Sequence, residues 1–197
     1  MKVHKHLILA SASPRRHHLL RQVGLEFEVR ESSIDEPVDD SQSPEHNVLR
    51  ISLDKARAVV RPEDDAIVIG ADTVVVLDGQ ILGKPRDTTD AVHMLRRLSG
   101  RIHVVYTGFT LLDAPSQKAM QACEETSVRF RRLAEDEIEE YVASGSPMDK
   151  AGSYGIQDDA GAVFVERVEG CFYNVVGFPL TRFYTTMMTF QQQLGLM

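Results

Sequence analysis

The chain has 197 residues, 43% of them hydrophobic, and a formal net charge of −7, so it can bury a core as one domain or as two small lobes. An acidic balance excludes a surface that holds nucleic acid or an anionic membrane through a basic field. No apolar run reaches bilayer-spanning length, and Met1–His6 leads into too short an apolar stretch for a secretory signal, so the expected location is cytoplasmic. Cys123 and Cys171 stand far apart without a CxxC partner, which favours free thiols over a disulfide or a zinc site.

The first apolar run, from His6 to Ala10, reads as a strand that feeds through Ser11, Ala12 and Ser13 into a helix starting at Pro14. Ser13 suits the N-cap, Pro14 the first helical position, and Leu19, Leu20 and Val23 recur at helical spacing before Gly24. Arg15 and Arg16 then fall in the first turn, where exposed amides already carry partial positive charge and an acidic residue would be stabilising. A polyanion would resolve that conflict. Amides at the helix start, with the small residues up to Ser13, can cradle phosphate oxygens while the two guanidinium groups clamp others. Read alone, the same arginines also fit solvated charges or ion pairs with distant acids.

Glu26–Arg30 alternates as a strand, Glu31–Gln42 is an acidic loop, and Ser43-Pro44 opens a helix that runs to Val60 and carries Lys55. Ala66–Gly70 is uniformly apolar, as in a strand buried on both faces, with Asp72 expected just past its end. Asp78-Gly79 between Val74–Leu77 and Ile81-Leu82 predicts a hairpin, followed by Gly83-Lys84-Pro85. A helix is expected from Thr88 to Leu98, strands over Ile102–Leu112 and Ala119–Phe130, a short acidic helix over Glu135–Ser144, a hairpin-like region over Val163–Val176 and a last helix from Pro179. βαβ units mixed with hairpins imply an α/β fold with a mixed sheet and helices on both faces.

Open α/β sheets place ligands at strand ends, where Asp72, Glu36 and Lys84 are expected. Two carboxylates beside a clamped phosphate suit Mg²⁺ or Mn²⁺, which take oxygen ligands completed by phosphate and water. Singly, each residue also has an ordinary reading: a strand-end Asp capping a turn, a Glu in a solvated acidic run, an exposed Lys. Gly83-Lys84-Pro85 lacks the glycine spacing and the Ser/Thr of a P-loop.

In order and spacing, several blocks resemble the Maf family of nucleoside triphosphate pyrophosphatases: Ser11–Arg16, Ile34–Glu36, Lys55-Ala56, Gly70–Val75, Gly83–Pro85, Met94–Gly100, Asp149–Gln157 and Asn174–Leu180. The resemblance implies an elongated mixed β-sheet flanked by helices, two lobes around a central cleft, and one catalytic domain over residues 1–197. It also implies a homodimer and hydrolysis of a nucleoside triphosphate to monophosphate and pyrophosphate with a divalent metal, Mg²⁺ or Mn²⁺. Asp72 matches the family's proton acceptor, and Glu36 with Asp72 its metal pair. Ser13, Arg15, Arg16, Lys55 and Lys84 match substrate-contacting positions, and Arg15, Thr73 and Gln157 match positions tied to substrate choice.

The Asp149–Gln157 wording is similar to the branch acting on dTTP and UTP rather than the sister branch that prefers 7-methyl-GTP. Two departures stand out: Asp158 where the family commonly has glycine, and Phe178 where it has leucine. A phosphomonoesterase, which would release orthophosphate, and a nucleotide-binding regulator of septum formation or cell division are the competing readings.

Overall fold

The computed structural model describes residues 2–158 and 160–196. A seven-stranded mixed sheet is flanked by helices, with strand order β2-β1-β3-β5-β6-β7 and β4 paired to β3. The strands are β1 (His6–Leu9), β2 (Glu28–Val29), β3 (Ala66–Leu77), β4 (Gln80–Leu82), β5 (Ile102–Asp113), β6 (Ala119–Phe130) and β7 (Val165–Glu169). β1 runs parallel to β2 and β3, while β4 pairs antiparallel with β3 and β7 antiparallel with β6. The helices are α1 (Pro14–Gln22), α2 (Pro44–Ala58), α3 (Thr88–Leu98), α4 (Glu135–Ala143), α5 (Phe172–Val176) and α6 (Leu180–Gln193).

Two compact units divide the chain. One holds residues 1–72, 107–124 and 177–197, the other 73–106 and 125–176, so the boundary falls within β3, β5 and β6. In the first unit Ile8, Ala10, Ala56, Ala66, Val68 and Leu112 pack as one buried cluster, and Phe109, Phe178 and Phe183 pack ring against ring at 5.0–5.8 Å. Phe178, the departure from leucine, is thus a fully buried member of an aromatic cluster. In the second unit Phe130, Tyr154, Phe164 and His103 form the equivalent centre, with Leu95 and Leu98 of α3 fully buried.

Several expectations are corrected. Ala66–Gly70 and Val74–Leu77 are one continuous strand, so Asp72 lies inside β3 rather than past its end. Gly70 does not stop the strand because the backbone of α2 presses onto it: a Cβ there would lie 2.0 Å from Ser52 O and 2.9 Å from Ala56 N. Gly108 of β5 does the same, since its Cβ would meet the Val48 carbonyl carbon at 2.7 Å. Glu26–Arg30 shortens to the pair Glu28–Val29. Val163–Val176 is not a hairpin on itself; a short turn over Gly161–Phe164 leads into β7, which takes β6 as its partner, and α5 follows. Alternation alone does not name a strand's partner.

Candidate functional site

In the first unit, α1 begins at Ser13 as expected, yet the Ser13 hydroxyl makes no capping bond and the first turn holds no acid. Ser11 Oγ accepts from the amide of Ser13 itself at 3.2 Å, so this bond caps none of the amides of the first turn. Arg16, only 9% exposed, donates from Nε to Gly177 O at 3.0 Å and from Nη1 to Ala71 O at 3.0 Å and Ser11 Oγ at 3.2 Å. Its guanidinium therefore ties the start of α1 to β3 and to the segment before α6. Burial pushes its pKa down, Asp72 pulls it up, Arg15 pushes it down and Glu36 pulls it up. Its bond to the carbonyl of Ala71 sets it one residue before Asp72 along β3. Arg15 is half-buried one residue before Arg16.

Lys55 is the centre of the arrangement. Its Nζ lies 2.8 Å from Asp72 Oδ1 and 2.8 Å from Glu36 Oε2, with the Lys55 side chain 7% and that of Asp72 10% exposed. The geometry follows from the glycine contact above. Gly70 and Asp72 lie two residues apart on one face of β3, and the helix backbone seated on Gly70 belongs to Ser52 and Ala56, so Lys55 emerges beside Asp72. Glu36 reaches the same ammonium from the loop after β2. That loop is fastened to α2 by Asn47, which accepts from the Asp39 amide at 2.8 Å and donates to Asp39 O at 2.9 Å, and by Arg50, which donates to Pro37 O.

Among the described residues no cluster of three or more His, Cys, Asp or Glu side chains is arranged to hold a metal. What the chain offers is two carboxylates brought to one point by a lysine. Carboxylate oxygens are the donors a hard cation takes, completed by phosphate and water; here both are paired to Lys55, whose ammonium lies between them.

In the second unit, Thr73 is half-buried on β3 and Lys84 is exposed in the segment after β4. Gln157 is exposed in a turn. Its Nε2 donates to Asp158 Oδ1 at 2.8 Å. Asp158 Oδ2 accepts from Ser146 Oγ at 2.8 Å, Lys150 Nζ at 3.1 Å and Tyr141 Oη at 3.2 Å. Lys150 also donates to Ser146 O and to Asp149 Oδ1. Burial raises the Tyr141 pKa to about 12, so its hydroxyl keeps its proton and can donate. The bond between Ser11 and Arg16 and the three donors that hold Asp158 escaped sequence reasoning. A lone serine before a cap carries no distinguishing pattern, and Asp158 registers only as a departure from glycine.

Among the described residues no helix is long and apolar enough to cross a membrane. A family model described as Maf-like protein matches residues 6–190. A protein named dTTP/UTP pyrophosphatase from Dictyoglomus turgidum is 44% identical over 191 residues, covering 96% of this chain and 98% of the relative. Proteins of the same name from Symbiobacterium thermophilum and Thermotoga maritima are 52% and 51% identical, covering 89% and 88% of this chain and 89% and 84% of their own lengths. On matches of that extent, the chain belongs to the Maf family.

Proposed function

We propose that this protein is an enzyme that hydrolyses dTTP and UTP to the nucleoside monophosphate and pyrophosphate. The observation that carries the reading is the convergence of Glu36 and Asp72 on the Lys55 ammonium beside Arg16, in a chain whose relatives, matched over most of their length, bear that activity in their name. Water attacks the α-phosphorus; its oxygen bonds there, the bond to the α–β bridging oxygen breaks, and pyrophosphate leaves with that oxygen. Asp72 takes the proton of the attacking water. A carboxylate held at a fixed place by its neighbours can accept a proton from a water positioned beside it.

Lys55 supplies that counter-charge. Without substrate it pairs with both acids; with a triphosphate present it has phosphate oxygens to pair with, which frees Asp72 to act as base. Arg15, Arg16 and the amides at the start of α1, next to Ser13, bind phosphate oxygens, and Arg16 also holds that helix start in register with β3. Lys84 contacts phosphate, and Thr73 and Gln157 contact the nucleoside. Glu36 and Asp72 would hold Mg²⁺ or Mn²⁺, which when bound neutralises charge on the phosphates. A cytoplasmic location, free nucleotide rather than nucleic acid as partner, and a homodimer belong to the same proposal; sedimentation equilibrium tests the last.

The test is release of pyrophosphate and orthophosphate from dTTP, UTP, CTP, ATP, GTP and 7-methyl-GTP, with Mg²⁺, Mn²⁺ or chelator. Pyrophosphate from dTTP and UTP, abolished by chelator, is the expected result. Preference for 7-methyl-GTP would overturn the substrate assignment, and orthophosphate alone or no turnover would overturn the reaction.

A further inference from the structure

Asp158 is a built feature rather than a surface charge. Its amide donates to Gly155 O at 3.1 Å and its carbonyl accepts from Ala162 N at 2.8 Å. Gly155 leaves room for its carboxylate, since a Cβ there would lie 2.5 Å from Asp158 Oδ2 and 2.8 Å from Lys150 Cε. Oδ2 is held by three donors, those of Ser146, Lys150 and Tyr141. Oδ1 faces Gln157.

A carboxylate paired with a lysine only accepts hydrogen bonds. The Gln157 atom facing Oδ1 must therefore be its NH₂ group; the carbonyl orientation would set two acceptors against each other. The amide is held one way round, and Oε1 is the atom turned away from Asp158 and left for a ligand. A thymine or uracil ring presents a donor, N3–H, at the place where cytosine has an acceptor nitrogen.

We propose that Asp158 is a specificity-positioning residue that fixes the polarity of the Gln157 amide, so that its carbonyl meets the imino N–H of uracil and thymine and rejects cytosine. The proposal rests on the assignment of Gln157 to the nucleoside base. It is specific to the chemistry of the Asp158 carboxylate, because the substitution Asp158→Asn, which keeps the shape, reverses the outcome. The three donors on the Oδ2 side would keep the carbonyl oxygen of the new side-chain amide and turn its NH₂ toward Gln157. Gln157 must then present Oε1 to that NH₂ and its own NH₂ to the base, which favours the acceptor of cytosine.

The experiment is steady-state kinetics on UTP, dTTP and CTP for the wild-type protein, Asp158→Asn and Gln157→Leu. Asp158→Asn is expected to raise the CTP-to-UTP ratio of kcat/KM about tenfold, roughly the value of one hydrogen bond gained and one lost, mainly through KM. Gln157→Leu is expected to collapse the discrimination altogether. If Gln157→Leu leaves the ratio unchanged, the base-reading role of Gln157 fails. If Gln157→Leu changes it while Asp158→Asn keeps the wild-type ratio, or lowers turnover of all three nucleotides equally, the polarity lock is overturned. Should Asp158→Asn not fold, Asp158→Ala, which leaves Lys150 its bonds to Asp149 and Ser146, is expected to raise the same ratio about threefold by letting the amide turn; an unchanged ratio overturns the proposal.

Discussion

Lys55 lies between two acids, and the consequences of removing it can be stated. Lys55→Met would leave Asp72, nearly buried, without its ammonium partner. Breaking such a pair on one side is expected to destabilise the fold by about 3 kcal/mol, read as a lower midpoint in guanidinium titration. The double variant Lys55→Met with Asp72→Asn should regain most of that loss, because the nearly buried charge is then gone and only the more exposed Glu36 carboxylate has lost its ammonium; a double variant as unstable as the sum of the singles would show that the pair does not act as a unit. Asp72→Asn alone keeps the shape of the side chain and removes the base. It is expected to lower kcat at least about 100-fold with a small change in KM, measured as pyrophosphate release. Arg16 belongs to a different category of residue. Its contacts to Gly177 O and Ala71 O make it a fastener of the helix start, so Arg16→Lys, which cannot reproduce the fork, should cost stability as well as activity.

The site depends on how α2 meets the sheet. Gly70 is the point of contact, and a methyl group there would need to occupy the position of Ser52 O. Gly70→Ala is expected to cost about 2 kcal/mol or more by overpacking and to lower kcat by lifting Lys55 off Asp72. Gly83→Ala, which meets nothing within 4 Å, should stay within about 0.5 kcal/mol of wild type. Thermal melts and kinetics of the two variants separate a positional effect from a general loss of glycine. Much of the element pattern is legible from sequence: the cap-and-proline starts of α1 and α2, the Asp78-Gly79 turn and the apolar face of α3 all stand where periodicity and turn chemistry place them. What escapes is the continuity of β3 through Gly70. Glycine normally weakens a strand, and only the helix backbone packed against it gives this one its reason.

At the scale of the whole molecule, the second unit carries a buried titratable group. His103 is 1% exposed, bonded through Nε2 to Tyr154 Oη at 2.8 Å, with Nδ1 lacking a partner. Burial lowers its pKa from 6.5 to about 4. In the unfolded chain His103 takes up a proton near pH 6.5, in the folded protein only near pH 4. Between those values the unfolded state binds more protons, so stability falls as pH drops through that window and levels off below it. The shift corresponds to about 3 kcal/mol. His103→Gln, which cannot titrate, should show a shallower loss of melting temperature between about pH 7 and 4; an unchanged slope would overturn this account.

The sequence by itself determined the α/β class, the membership in the Maf family and the inventory of charged residues, because these depend on local periodicity, turn chemistry and the order of short motifs. Tertiary structure alone decided which groups meet. It brought Glu36 and Asp72, far apart in the chain, to one ammonium, bonded Arg16 to the carbonyls of Gly177 and Ala71, and set the Asp158 carboxylate between its three donors and the Gln157 amide. The physical reason is that a side chain's type limits what it can bond, while its partner is fixed by packing between elements distant in sequence. At Gly70, that packing came down to the absence of a single methyl group.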